Sequence, residues 1–190
     1  MAFYSQSELE QLGFKFLGNN VLLSKKASLY GHERISIGDN SRIDDFSVIS
    51  AGLGGVHIGR NVHIAIFSSL IGAGKITLSD FSNISSRVSI YSSNDDYSGK
   101  SMSNPTIPES YKKVNHADVY IGKHTIVGCG TVILPGVFID EGVAIGALSL
   151  VNIDCTNWGI YSGTPIKKIK ERERDLLDLE RKYINEDSNA

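Results

Sequence analysis

Residues 121–151 read IGKHTIVGCGTVILPGVFIDEGVAIGALSLV. An aliphatic residue returns every six positions in this stretch, at Ile121, Val127, Ile133, Ile139, Ile145 and Val151. An α-helix would give a period near 3.6 and an ordinary strand a period of 2, so neither explains the spacing. Six-residue repeats are typical of a parallel β-helix, in which each turn of the chain stacks on the turn before it.

The same phase extends back to residue 37. It continues through Ile37, Ile43, Ile49, Ile58, Ile64, Leu70, Leu78, Ile84 and Ile90. Small or β-branched residues lie four places after most of these positions: Ser41, Ser47, Val62, Ser68, Ser82, Val88, Thr125, Thr131, Val137, Val143 and Ser149. We therefore predict an all-β, triangular parallel solenoid with the aliphatic residues inside and with Ile43, Ile64 and Ile84 on one face.

The repeat is interrupted by extra residues at four places. These follow Leu29, Ile49, Leu70 and Ile90, and the longest covers residues 91–120. If each coil has three faces, all four interruptions fall at the same corner of the prism. Because loops on a rigid scaffold commonly carry function, the excursion 91–120 is the predicted location of a site.

The two ends of the chain do not follow the repeat. Ser5 and Glu8 form a capping-box pattern, which predicts a helical turn through residues 6–12. After Pro165 a charged stretch with interspersed apolar residues predicts an amphipathic helix that frays in residues 185–190. The predicted organisation is a helical cap over 1–20, a β-helix domain over 21–165, and a C-terminal helix and tail over 166–190.

Composition excludes several classes of protein. The formal charge of −2 gives no basic field for nucleic acid, and no apolar stretch approaches the length of a transmembrane helix. The first residues lack the pattern of a signal peptide. Two cysteines, Cys129 and Cys155, are too few for a disulfide framework, and Cys129 is predicted to be a small buried thiol. We expect a cytoplasmic protein.

Specific segments resemble a known family. Residues 121–137 and the stretch SGTPIKKI at 162–169 resemble the coils and closing turn of the left-handed β-helix (hexapeptide-repeat) acyltransferases. SSNDDYSG at 92–99 and NPTIP at 104–108 resemble a narrower branch that acts on sugars, which includes the dTDP-4-amino-4,6-dideoxyglucose N-acetyltransferases. The resemblance implies acetyl-CoA as cosubstrate, a nucleotide-linked amino sugar, and a homotrimer with active sites between subunits. It also implies a role in surface polysaccharide (O-antigen) biosynthesis. No metal is expected, because the spacing of His57 and His63 does not bring three ligands together in one subunit.

Acyl transfer to an amine needs a general base, and histidine suits that role at neutral pH. His116 lies where the excursion rejoins the solenoid and is the first candidate. The alternative interpretation is that His116 is an ordinary loop histidine with no catalytic role. His63 is the second candidate, because coil phase places it between Arg42 and Asn83 in a polar column. His124 is read as a surface residue.

Galactoside and maltose acetyltransferases have a histidine–proline pair in the corresponding loop, where this chain has Asn94, Asp95 and Asp96. Asp95 and Asp96 are candidates for orienting a catalytic histidine or holding the acceptor ammonium. The resemblance implies substrate contacts for Asn94, Asp96 and Tyr97. Asn and Asp also favour turns without any chemistry, which is the competing interpretation.

The resemblance implies a coenzyme site at the C-terminal coils. It would include Lys167 and Lys168, which follow the closing turn and suit a phosphate of CoA, together with Gly130, Ala147 and Thr164. The lysines also fit the first turn of a solvated helix. The glycine clusters at 52–55 and 72–74 do not match nucleotide-binding fingerprints and are interpreted as turn geometry.

The leading hypothesis is direct N-acetylation of a nucleotide-linked deoxysugar, without an acyl-enzyme, because no Ser or Cys lies in a recognisable nucleophile pattern. O-acetylation of a sugar hydroxyl is the first alternative. A metalloenzyme resembling γ-carbonic anhydrase is less favoured, since that site needs three convergent histidines.

Overall fold

The computed structural model describes residues 2–187, which form a left-handed parallel β-helix with three faces. Strands are numbered along the chain. The first face contains β1 (Phe16–Leu17), β4 (Ile35–Ile37), β7 (Val56–Ile58), β10 (Ile76–Leu78), β15 (Val119–Ile121) and β18 (Phe138–Ile139). The second contains β2 (Leu22–Leu23), β5 (Arg42–Ile43), β8 (His63–Ile64), β11 (Asn83–Ile84), β16 (Ile126–Val127), β19 (Ala144–Ile145), β21 (Gly159–Ser162) and β22 (Lys167–Glu171). The third contains β3 (Ser28–Tyr30), β6 (Val48–Ala51), β9 (Ser69–Gly72), β12 (Ser89–Tyr91), β17 (Val132–Ile133) and β20 (Leu150–Val151).

The hexad positions form the core, as predicted. Ile43 pairs with Ile64, and Ile64 with Ile84, in parallel register on the second face. All fifteen phased aliphatic residues are buried. Burial of each such side chain contributes roughly 1.5–3 kcal/mol, so the stacked column is the main source of stability.

The small residues of the repeat connect successive coils. Ser41 is buried, donates its hydroxyl to the Gly59 carbonyl (2.8 Å) and accepts from the Val62 N–H (3.0 Å). Ser47 donates to the carbonyl of Ala65 in the same way (3.1 Å). The serine hydroxyls at this repeat position therefore hydrogen-bond one coil to the next.

The interruptions all lie at the corner between the third and first faces, which we call the excursion edge. They are residues 31–34, 52–55, 73–75 and 92–118, each running from a third-face strand to a first-face strand. The predicted common corner is confirmed. The base of the longest is a small antiparallel hairpin of β13 (Ser93–Asn94) and β14 (Asn115–His116).

The N-terminal helix α1 spans Gln6–Glu10 and has the predicted capping box. The Ser5 side chain accepts from the Glu8 backbone, and the Glu8 carboxylate accepts from the Ser5 N–H at 2.7 Å. The helix ends before the predicted residue 12, and the first strand begins at Phe16, inside the segment expected to be the helical cap.

The prediction of a helix from near Pro165 is wrong. Residues Lys167–Glu171 form β22, which pairs antiparallel with β21, and helix α2 begins only at Leu176 and extends to Asp187. The backbone of β21 would otherwise be an open edge, and hydrogen bonding to it outweighs the helical propensity of a charged segment. Of the predicted fraying tail 185–190, residues 188–190 lie outside the described residues. Between residues 2 and 187 no helix is long and apolar enough to cross a bilayer.

Helix α2 packs along the edge between the first and second faces. Tyr183 accepts a hydrogen bond from Asn61 (3.0 Å), and Glu180 pairs with both His124 (2.9 Å) and Lys123 (2.6 Å). His124 is therefore buried beneath the helix and is not the surface residue expected. Cys129 is also misassigned, since it is exposed.

Replacing Ile64 by Ala should test the stacked core. Ile64 is 0 % exposed, so the truncation leaves a cavity and should lower the free energy of unfolding by about 2–5 kcal/mol, measured by denaturant unfolding. Ile169→Ala is the matched control, because Ile169 is 61 % exposed on β22 and should change stability by less than about 0.5 kcal/mol. Equal losses in the two variants would contradict the assigned core.

Candidate active site

His116 lies on the return strand of the hairpin at the base of the excursion. Its Nδ1 is 2.7 Å from Ser93 Oγ on the facing strand. Ser93 Oγ in turn accepts the N–H of Ala73 from the coil below (2.7 Å). The imidazole is exposed, but its orientation is fixed by the hydrogen bond between Nδ1 and Ser93, which is itself hydrogen-bonded to the solenoid through the Ala73 N–H.

The acidic residues of the excursion differ in their contacts. Asp96 accepts hydrogen bonds from the Ser98 N–H and the Ser101 hydroxyl, both 2.8 Å. Hydrogen bonds from Ser98 and Ser101 lower the pKa of Asp96 to about 2. The carboxylate of Asp96 therefore holds the loop, which favours the turn-forming interpretation over substrate contact for this residue.

Three neighbouring candidates differ in how accessible they are to a ligand. Asp95 adjoins the hairpin and lies between Asn94 and the loop-holding Asp96. Asn94 Oδ1 is buried and has no hydrogen-bond partner within residues 2–187. Tyr97 is 90 % exposed at the loop surface. A buried, unpaired amide oxygen is costly. Because Asn94 Oδ1 is enclosed by protein, Asp95 and Tyr97 are the candidates that a substrate can reach directly in the single chain.

His63 belongs to a different cluster, on the second face. Its Nε2 is 2.9 Å from Asp44 Oδ2, its Nδ1 is 3.2 Å from Asn83 Oδ1, and Arg42 donates to Asp44 Oδ1 at 2.7 Å. The predicted stacking of His63 between Arg42 and Asn83 is confirmed. Burial raises the pKa of the Asp44 carboxyl, but hydrogen bonds from His63 and Arg42 outweigh it, so the pKa is lowered and Asp44 is ionised.

The two histidines are not brought together within one chain. His116 stands on the excursion edge, between the third and first faces, whereas His63 points outward from the second face. In a triangular prism a face lies opposite the edge formed by the other two faces. A single chain therefore separates the two candidate bases by the width of the solenoid.

The coenzyme candidates lie at the C-terminal coils, on the edge between the second and third faces. Thr164 donates its hydroxyl to the Leu148 carbonyl (3.1 Å), Gly130 has positive φ and lies against Leu148, and Ala147 adjoins Gly128 of the coil below. Lys167 and Lys168 follow on β22.

The two lysines are on a strand rather than a helical turn, so the solvated-helix interpretation is wrong. Lys168 pairs with Glu171 at 2.6 Å, and this hydrogen bond raises the pKa of the ammonium. Lys167 and Lys168 are both exposed. They remain compatible with an anionic ligand at this end.

Sequence reasoning missed Asp44 and Ser93. The contact between Asp44 and His63 spans nearly one coil, and only counting by coil phase could have indicated it. Ser93 gives no signal until the hairpin register pairs it with His116. Residues 2–187 contain no group of three or more His, Cys, Asp or Glu side chains that could hold a metal ion.

Known proteins similar to this chain are acyltransferases. The chain matches no model of a protein family. It is 54 % identical over 180 residues to dTDP-4-amino-4,6-dideoxy-D-glucose acyltransferase from Escherichia coli, an alignment that covers 95 % of this chain and 94 % of the relative.

Solved structures agree with this similarity. A variant of AntD, an N-acyltransferase from Bacillus cereus, in complex with dTDP and coenzyme A, has a TM-score of 0.94 and 46 % identity, covering 98 % of this chain and all of that one. AntD with dTDP and 3-hydroxybutyryl-CoA gives a TM-score of 0.93 and 46 % identity over 99 % of this chain and 98 % of that one. The chain thus belongs to the acyltransferase family that includes the E. coli dTDP-4-amino-4,6-dideoxy-D-glucose acyltransferase.

Proposed function

We propose that this protein transfers an acyl group from acyl-CoA to the amino group of dTDP-4-amino-4,6-dideoxyglucose. The observation that carries the proposal is the 54 % identity, over nearly the full length of both chains, to an enzyme named for that substrate. AntD, at 46 % identity, binds dTDP together with CoA, which supports the same pair of ligands. The exposed excursion supplies polar groups that suit a sugar.

The chemistry we propose is direct transfer. The amine nitrogen attacks the thioester carbonyl, the C–S bond breaks, and the proton lost by the amine is ultimately matched by one gained at the CoA sulfur. No acyl-enzyme is needed, because a deprotonated amine is a sufficient nucleophile. The protein must accept one proton and hold the two substrates in line.

His116 is the preferred base. With the proton on Nδ1, its ring donates to Ser93 Oγ and leaves a lone pair on Nε2, for which residues 2–187 provide no partner. His63 has partners on both ring nitrogens, Asp44 and Asn83, so it is less free to take a proton. We assign His63 a substrate-positioning role and retain it as the second candidate base.

We further propose a homotrimer with the active sites between subunits. The opposite placement of His63 and His116 supports this, because a neighbouring copy can bring an excursion edge against a second face. Phe46 and Phe67 are exposed and stack on each other (ring centroids 5.2 Å apart) at the edge between the second and third faces, an apolar pair that suits contact between copies. A cytoplasmic enzyme that prepares a sugar for O-antigen assembly fits this activity.

The first prediction here separates the two histidines. His116→Asn should preserve folding and lower kcat by about 10²–10⁴-fold, with the largest effect near neutral pH, because at high pH the amine loses its proton to solvent. His63→Asn should act mainly on KM. Steady-state kinetics from about pH 6 to about pH 10 would decide between the two histidines, and a collapse of kcat only in His63→Asn would transfer the role of base to His63.

The second prediction concerns the acceptor and donor. With acetyl-CoA, free thiol release should be fastest with dTDP-4-amino-4,6-dideoxyglucose and at least about tenfold slower with the 3-amino isomer. The analogue with a hydroxyl in place of the amine tests O-acetylation, and turnover of that analogue at the same rate would contradict N-acyl transfer. Repeating the assay with 3-hydroxybutyryl-CoA identifies the preferred acyl chain.

The third prediction tests the shared site. Light scattering should give three times the 20.7 kDa chain mass. His63→Asn and His116→Asn chains co-expressed in one cell should regain part of the kcat/KM that each loses alone, since mixed trimers contain some sites with both histidines intact. An active monomer, or no recovery in mixed trimers, would contradict a site built from two subunits.

A further inference from the structure

The last part of the chain forms a strap along the edge between the first and second faces. We define the strap as residues 172–187, which begin where β22 ends and include helix α2. Its contacts reach turn residues of five successive coils, from Trp158 near the C-terminal end to Asn61. Four coil steps span about 19 Å. The twelve-residue helix, about 18 Å long, and the residues before it cover that length.

Arg172 anchors the strap at the C-terminal coils. Its guanidinium Nη1 donates to the carbonyls of His124 (2.8 Å) and Gly142 (2.9 Å), and its backbone N–H donates to the carbonyl of Trp158 (2.7 Å). Arg172 directly follows β22, the strand that carries the two lysines proposed for the coenzyme. A ligand that fixes β22 therefore also fixes the start of the strap.

Glu180 and Tyr183 tie helix α2 to the solenoid. Glu180 lies 2.6 Å from Lys123 Nζ and 2.9 Å from His124 Nε2. The Tyr183 hydroxyl accepts a hydrogen bond from Asn61 at 3.0 Å. Burial raises the pKa of the Glu180 carboxyl, but the contacts with Lys123 and His124 outweigh it, so the pKa is lowered and Glu180 is ionised at neutral pH. The attachment of α2 therefore depends on a small number of polar contacts.

The contact between α2 and the solenoid is loosely packed. A cleft of about 340 Å³ lies beneath the helix, with Leu176 and Leu179 on the helix side and Asn83 and Ile126 on the second face. Leu179 is 63 % exposed although it borders this cleft. A helix of this length is marginal in water without tertiary packing, and loosely packed elements open at a lower free energy than the core. We expect α2 to detach while the solenoid stays folded.

The cleft beneath α2 extends to a histidine of the proposed site. Asn83 lines the cleft, and its Oδ1 is 3.2 Å from His63 Nδ1. Asn61, which is hydrogen-bonded to Tyr183, lies two residues before His63 in the turn that leads to β8. The docked helix thus covers the side chain that orients His63 and holds the turn that precedes it. The strap connects this region to the C-terminal coils through a path separate from the core.

We propose that α2 docks on and detaches from the first–second edge, and that its docking couples the coenzyme end of the solenoid to His63. The inference rests on the proposed function, because it takes the β22 lysines to contact CoA and His63 to contact the acceptor. CoA favours the docked state by fixing β22, and the acceptor favours it by fixing His63 and Asn83. Since both ligands favour one state, each tightens the binding of the other by the same factor.

Isothermal titration calorimetry of the intact protein measures this coupling. The probes are CoA, which carries no acyl group to transfer, and dTDP-4-amino-4,6-dideoxyglucose. In wild-type protein, saturating CoA should tighten binding of the amino sugar by at least about fivefold, and the amino sugar should tighten CoA by the same factor.

Two variants of α2 should remove the coupling. Glu180→Ala deletes the ion pairs and Tyr183→Phe deletes only the hydroxyl that accepts from Asn61, so the tightening should fall below about twofold in each. Glu186→Ala is the matched control, because it removes a carboxylate from an exposed position on the same helix and should retain the wild-type factor. Circular dichroism of each variant excludes global unfolding as the cause.

Hydrogen–deuterium exchange tests the two states of the strap without using activity. In the free protein, the amides of α2 should exchange at least about tenfold faster than those of β8 and β11. CoA should slow exchange in α2, and Glu180→Ala should abolish that protection while leaving β8 and β11 unchanged.

The outcomes separate the strap from the function. If α2 exchanges as slowly as the core strands in the free protein, the helix is fixed and the inference is overturned. If the coupling is absent from wild-type protein, or persists in both Glu180→Ala and Tyr183→Phe, the strap does not carry it, which also overturns the inference. In these cases the proposed function stands. If wild-type protein binds neither CoA nor the amino sugar, the proposed function is wrong, and with it the inference.

Discussion

Hydrogen bonding between stacked coils is the constraint on which the rest of this structure depends. Each short strand satisfies its backbone through the coil above and the coil below, so every coil must keep the same path around the three faces. Ile43, Ile64 and Ile84 pack directly over one another because of that register. Additional residues can enter only where they leave the ladders intact, which in this chain is a single edge. The position of the excursion is therefore a consequence of the core.

The core and its edges could be predicted from the sequence because a six-residue period repeated many times is a strong local signal. The C-terminal segment could not, since residues 167–171 are charged and have the composition of a helix. What decides their structure is the unpaired edge of β21, a tertiary partner that composition does not reveal. His124 was misassigned for a related reason, because α2 returns from far along the chain to cover it.

In the candidate site, too, the positions of residues along the coils could be predicted from the sequence, whereas their hydrogen-bond partners could not. His116 was predicted from its place at the end of the excursion, where the chain rejoins the solenoid, and its hydrogen bond to Ser93 is a detail of hairpin register. The sequence did not indicate a role for Asp44, because its partner His63 is almost one coil away along the chain. Coil phase located His63 correctly between Arg42 and Asn83. It could not indicate that both ring nitrogens would be engaged, which is what distinguishes the two histidines chemically.

The reversed direction of β22 has a consequence for how copies of this protein meet. A β-helix that ended on a parallel strand would offer the next molecule a template of the same shape, and coils could continue from one chain into another without limit. Here the last strand runs antiparallel and exposes Lys167, Lys168 and Lys170. A second solenoid would meet a mismatched hydrogen-bond pattern and a charged strand, in which Lys168 pairs with Glu171 while Lys167 and Lys170 are exposed. The antiparallel end strand thus disfavours continuation of parallel coils from this end of the solenoid into another chain, although the interior pattern could extend indefinitely.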